Sequence, residues 1–140
     1  MLTFVDANVF IRLFVEDDAQ QTTQAAKLFE KAQNGKIDLV TGPPVFFEIA
    51  WTLSYRYKVP REDILDILEA VLSFPNLKVL DKALVLSTLS LARETSSEFA
   101  DAYIASTIQD SKADNIATFN KKHFVKFGIT LYPLEKARKP

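Results

Sequence analysis

The sequence predicts an α/β fold: a three-layer α/β/α sandwich with a mainly parallel central sheet. Three observations predict it. Short, nearly all-apolar runs recur along the chain, as strands covered on both faces require. Longer stretches with apolar residues at helical spacing separate them. Hydrophobic residues make up 48% of the 140, with only three glycines and six prolines, enough for one core and too few breakers for disorder. The expected organisation is one domain over 1–134 and a short basic tail at 135–140.

Residues 2–5 read as a buried strand with Asp6 at its carboxyl end. The run 8–14 continues apolar with Arg12 inside it, and Glu16-Asp17-Asp18 marks a solvated turn. Over 20–33, Ala25, Leu28, Phe29 and Ala32 recur at helical spacing, and Asn34-Gly35 stops that helix. A second strand follows at 37–40. Pro43-Pro44 then opens a helix to about residue 57, with Phe47, Ala50, Trp51 and Leu53 on its apolar side.

A further helix begins near Pro60 and buries Ile64, Leu65, Ile67, Leu68, Val71 and Leu72. Residues 77–80 form a short strand and 82–93 a helix. Ser96 and Ser97 are placed to cap a helix over 99–111. Strands at 115–119 and 129–132 flank a short helix at 121–127 closed by Gly128.

Composition excludes several classes of function. No apolar run approaches a membrane span. The amino terminus reaches Asp6 before any apolar stretch develops and has no basic lead-in, so it does not read as a secretion signal. The absence of cysteine removes disulfides, thiol chemistry and thiolate zinc sites, and a cytoplasmic location is expected. A single histidine, His123, argues against a histidine-rich zinc hydrolase and against a serine triad; it reads as a surface or packing residue. Glycines at 35, 42 and 128 build no phosphate loop. Seventeen basic against eighteen acidic residues give a net charge of −1, a poor footprint for blanket phosphate neutralisation. A cation held by acids would reverse the local field, so composition does not decide against a nuclease.

Certain acids stand in unusual surroundings. Asp6 follows Thr3-Phe4-Val5 and precedes Ala7-Asn8-Val9-Phe10. A charge there must be solvated, paired or bound to metal, and strand carboxyl ends are where open α/β sheets place ligands. Its ordinary uses are a helix cap or a partner for Arg12. Glu48 is the one charge in the apolar stretch 43–51, with Arg56 or Lys58 as ordinary partners. Glu98 and Asp101 lie three apart at a helix start, where both can face one side and the dipole eases their charge. Glu98 alone reads as first-turn enrichment, whereas Asp101 sits among Phe99, Ala102, Ile104 and Ala105. Thr118 and Asn120 offer a hydroxyl and an amide at a strand end, although a turn asparagine is the ordinary reading. Hard oxygen donors without soft ones point to Mg²⁺ or Mn²⁺, ions suited to phosphodiester hydrolysis. Lys121, Lys122 and Arg12 are candidate phosphate contacts. Trp51 and Tyr55 are candidates for a protein interface.

Together these segments resemble the PIN-domain family, and within it the VapC-type toxins of toxin–antitoxin pairs. Phe4-Val5-Asp6-Ala7-Asn8-Val9-Phe10-Ile11-Arg12 resembles the first acidic motif, and Val45-Phe46-Phe47-Glu48-Ile49-Ala50-Trp51 the second. Glu98-Phe99-Ala100-Asp101-Ala102-Tyr103-Ile104-Ala105 is similar to the third and is the most specific. Ile116-Ala117-Thr118-Phe119-Asn120-Lys121-Lys122-His123-Phe124 is similar to the fourth. The resemblance implies an endoribonuclease dependent on Mg²⁺, with Mn²⁺ able to substitute. Asp6 and Asp101 would be the main metal ligands and Glu48 a direct or water-mediated one. Glu98 would be auxiliary, and Thr118 would support the site by hydrogen bonding. It also implies an RNA substrate, a small antitoxin and a homodimer.

One position departs from the motif: Asn120 stands where an aspartate is frequent, which weakens any second metal position. A phosphatase of another α/β type is the least favoured alternative, because an aspartyl-phosphate enzyme needs a second aspartate close after the first and position 8 is Asn; two further readings stay open. One is a PIN nuclease in RNA processing outside toxin biology. The other is a binding module with weakened catalysis.

Overall fold

The structure, a computed structural model, describes residues 1–137. Residues 138–140 of the expected tail lie outside the described residues. The elements run β1 (Leu2–Phe4), α1 (Ala7–Phe14), α2 (Ala19–Gln33), β2 (Asp38–Thr41), α3 (Pro43–Tyr55), α4 (Arg61–Leu72), β3 (Leu77–Val79), α5 (Lys82–Thr95), α6 (Phe99–Ser111) and α7 (Lys121–Val125). The fold is of the mixed α/β class, with a parallel sheet flanked by helices. One compact unit is Met1–Leu86, and a second begins at Ser87.

In the first unit the strands lie in the order β1-β2-β3, and both pairings are parallel. Parallel neighbours require crossovers, which α1 with α2 and α3 with α4 supply. The register sets Leu2 against Asp38 and Leu39 against Leu77. The buried Thr41 hydroxyl donates to the Val5 carbonyl at 3.1 Å, tying the carboxyl ends of β1 and β2 together. That tie fixes the starting points of α1 and α3. Phe10 of α1, Phe29 of α2 and Phe74 just after α4 form an aromatic cluster, with ring centroids 5.0–5.9 Å apart.

Two expectations for this unit change, and the apolar run 8–14, which carried no assignment, gains one. Leu2 and Phe4 are 62% and 56% exposed, so of the strand expected to be buried at 2–5 only Val5 is enclosed. Residues two apart share a face, and β1 is an edge strand in this sheet. The run 8–14 is a helix: Asp6 caps it, and Ala7, Phe10 and Ile11 are its buried side. On α3, Trp51 is 62% exposed rather than part of the apolar side, which is made by Val45, Phe46, Ile49 and Leu53. The outward stripe is Pro44, Glu48, Trp51 and Tyr55, one ridge at helical spacing.

The second unit keeps α6 at the expected bounds. The strands expected at 115–119 and 129–132 reduce to one parallel bridge between Ile116 and Leu131. Its bonds run from Ile116 N to Thr130 O at 3.0 Å and from Tyr132 N to Ile116 O at 2.8 Å. Extension ends early because the Thr118 hydroxyl accepts from Asn120 N at 3.0 Å and turns the chain into α7. Ser96 and Ser97 terminate α5 instead of capping α6. Ser96 has φ 54°, Ser97 N donates to Ala92 O, and the Ser97 hydroxyl pairs with that of Thr95. The position before α6 is filled by Glu98, whose side chain makes no cap bond.

Candidate functional site

The sequence-selected residues divide between the units. Asp6 and Glu48 belong to the first; Glu98, Asp101, Thr118 and Asn120 belong to the second.

Asp6 follows Val5 directly and is the N-cap of α1. Its Oδ1 accepts from Ala7 N at 2.8 Å, while Oδ2 makes no hydrogen bond among the described residues. A carboxylate at a helix amino terminus faces unpaired N–H groups and the positive end of the dipole. The cap use considered from sequence is therefore real. It occupies one oxygen and leaves an exposed carboxylate able to bind a ligand.

Glu48 lies one turn into α3 and is exposed, despite its apolar sequence surroundings. Among the described residues it pairs with neither Arg56 nor Lys58. Helical geometry explains the exposure: its apolar sequence neighbours turn inward at Val45, Phe46 and Ile49.

Arg12 is engaged by neighbours within the first unit through Nε and Nη1. Its guanidinium pairs with Asp17, donates Nε–H to Gln21 Oε1 at 2.6 Å, and lies 3.3 Å from the Tyr57 hydroxyl. Tyr57 in turn donates to Asp17 Oδ2 at 2.8 Å. The hydrogen bond to Tyr57 is the chief cause raising the Arg12 pKa. Desolvation opposes it and the charge of Asp17 adds to it. Asp17 is held below the usual carboxylate range, chiefly by the Tyr57 hydrogen bond and further by the charge of Arg12, against opposing desolvation. A cavity of about 300 Å³ opens between α1 and α2 beside this network, lined by Asn8, Arg12, Gln21 and Gln24 among others. None of the selected acids lines it.

In the second unit, Asp101 sits in the first turn of α6 with its side chain 20% exposed. Ala102 and Ala105 beside it are buried. His123 of α7 places Nδ1 3.0 Å from Asp101 Oδ2. Sequence reasoning set this histidine aside as a surface or packing residue. The one signal that could have found it was its place three residues after Asn120, at a spacing that puts it on the first turn of a helix entered from the fourth motif. Glu98 and Asn120 are exposed, and Asn120 precedes α7 without a side-chain cap bond. Lys121 and Lys122 are exposed on α7.

Among the described residues, no group of three or more His, Cys, Asp or Glu side chains is gathered closely enough to hold a metal ion. The donor chemistry nonetheless suits a hard cation: carboxylate oxygens, exposed at Asp6, Glu48 and Glu98 and partly enclosed at Asp101, without sulfur.

A family model described as PIN domain matches residues 3–129. The chain belongs to the PIN-domain family. The match spans all four motif segments and places the chain in a superfamily generally associated with nucleic acids. No curated protein matches this PIN domain. No described helix of the PIN chain is long and apolar enough to cross a membrane.

Proposed function

We propose that this PIN domain is an endoribonuclease dependent on Mg²⁺, with Mn²⁺ able to replace it, and that it is the toxin of a toxin–antitoxin pair. The observation that carries the proposal is the family match over 3–129 enclosing Asp6, Glu48, Glu98, Asp101 and Thr118 in motif order. Asp6 and Asp101 are the principal ligands, with Glu48 and Glu98 in support. RNA is the substrate, a small antitoxin the inhibitor, and a homodimer the assembly.

A divalent cation held by these acids would acidify a water and offset charge on the phosphate and leaving oxygen. The chain's own residues supply the rest. Asp6 keeps one oxygen on the helix cap, which orients the carboxylate and leaves the other oxygen as a donor. Glu48 orients the attacking water. Thr118 holds the turn into α7, where Lys121 and Lys122 face the phosphate backbone as exposed cations. The water oxygen forms a bond to phosphorus as its proton passes to solvent, the bond to the leaving sugar oxygen breaks, and that oxygen takes up a proton from solvent.

The experiment is cleavage of a mixed structured RNA panel by the native chain and by Asp101→Asn in Mg²⁺, in Mn²⁺ and in EDTA. Cleavage by the native chain, lost in EDTA and reduced at least about 10²-fold in D101N, is the expected result. Full activity in a folded D101N overturns the assignment. Asn120 at a position where the motif frequently carries aspartate favours a second reading, a binding module with weakened catalysis. RNA retention without cleavage in any metal would establish that reading. Growth arrest on expression, relieved by a small adjacent partner, separates a toxin from an RNA-processing nuclease.

A further inference from the structure

We propose that His123 is a positioning residue that sets the orientation of the Asp101 carboxylate by donating its Nδ1–H to Oδ2. The proposal rests on the reading of Asp101 as a metal ligand and assigns a role to a residue outside the four acids.

A carboxylate on a helix rotates about its terminal torsion over a broad range, so a lone aspartate presents its two oxygens without fixed direction. One hydrogen bond to Oδ2 fixes the plane and leaves Oδ1 for a ligand. The 3.0 Å separation of His123 Nδ1 and Asp101 Oδ2 is that bond. Asp101 is the more enclosed of the two, its side chain 20% exposed against 56% for His123. The imidazole therefore bonds to a largely enclosed carboxylate from a more exposed position.

The histidine is itself held. Its backbone N–H donates to Asn120 O at 3.1 Å, and Asn120 N–H donates to the Thr118 hydroxyl at 3.0 Å. Phe124, the next residue, is buried and lies 6.2 Å from Phe127 between ring centroids, anchoring α7. Thr118 thus fixes the turn, the turn fixes α7, and α7 delivers the imidazole to Asp101. In this chain the fourth motif acts on the third through a ring N–H donor.

A neutral imidazole that donates from Nδ1 carries no hydrogen on Nε2, the tautomer opposite to the one free histidine favours. Because His123 is the only histidine, its ring nitrogens are assigned without ambiguity. Long-range ¹H–¹⁵N spectra of the metal-free protein at alkaline pH are expected to show the Nδ1–H tautomer, reverting to Nε2–H in D101N. Mn²⁺ affinity by electron paramagnetic resonance is expected to weaken about 10-fold or more in His123→Ala, as for loss of a ligand's hydrogen-bonding partner. His123→Asn, whose amide can donate from a similar position, is expected to recover most of that affinity. An Nε2–H tautomer in the native protein overturns the proposal. So does native Mn²⁺ affinity in H123A when D101N has lost it; in that case the metal reading of Asp101 stands and only the positioning role falls. Equal Mn²⁺ binding by D101N and the native chain removes the metal reading and the positioning role together.

Discussion

Tyr57 and Asp17, 40 residues apart in the chain, meet through a 2.8 Å hydrogen bond from the phenol hydroxyl to Oδ2. The same hydroxyl lies 3.3 Å from the Arg12 guanidinium, so one side chain joins the end of α1, the turn after it and the segment beyond α3. The guanidinium of Arg56 lies over the Tyr57 ring, 5.4 Å from its centre. Arg12 is thereby committed to the fold.

Tyr57→Phe keeps the ring and removes the hydroxyl. Because the Tyr57 bond is the largest cause depressing the Asp17 pKa, the variant should move Asp17 back up toward the ordinary carboxylate value, readable by carboxyl NMR titration. A depressed folded-state pKa contributes stability above the unfolded value, about 4, and loses it as pH falls through the folded value. The native chain should therefore lose stability more steeply than Y57F on acidification below the ordinary carboxylate range. Parallel stability profiles for the two proteins across that range would contradict this.

Phe10 is fully buried and packs at 5.4 Å from Phe29 and 5.9 Å from Phe74 between centroids. Truncation to alanine leaves a cavity that surrounding rings cannot collapse into. Phe10→Ala should cost about 3–5 kcal/mol in urea unfolding. A loss below about 1 kcal/mol would show that the cluster repacks.

Ser106 has a buried hydroxyl with no hydrogen-bond partner among the described residues, in the interior of α6. Ser106→Ala removes an unsatisfied polar atom and improves helix propensity. Stability should stay level or rise by about 1 kcal/mol. A clear loss would reveal a partner for the hydroxyl.

Asn120 is exposed and sits at the N-cap position of α7 without a cap bond. Aspartate is at least as good there, so Asn120→Asp should leave the thermal midpoint unchanged within a few degrees. Metal-dependent RNA cleavage should persist or increase. Cleavage found only in N120D, and never in the native chain, would mean that asparagine disables the site.

Local chemistry was legible where it depended on near neighbours. The 3.6-residue spacing of apolar residues gave α2, α3, α4 and α6 nearly to the residue, and Asn34 with Gly35 marked the end of α2. Asp6 was legible as an unusual acid and also as a cap, and it is a capping carboxylate at the end of the first strand segment. The side of α3 was misread at Trp51 because an apolar ring suits either the core or an exposed ridge, and only the direction of Val45, Ile49 and Leu53 fixes which. The terminal strands were misread for a similar reason. A β-prone run at 115–119 becomes a strand only where a ladder extends beside it, and Thr118 turns the chain first.

By itself the sequence determined the α/β class, the helices after α1, the family and the order of the acids. These follow from periodicity and motif spacing, which are properties of the chain along its length. Tertiary structure alone decided that Arg12 belongs to Asp17 and Tyr57, and that His123 belongs to Asp101. The Arg12–Tyr57 and Asp101–His123 pairings join residues 45 and 22 positions apart. No local rule selects one partner among several at that separation; the packing of helices against each other does.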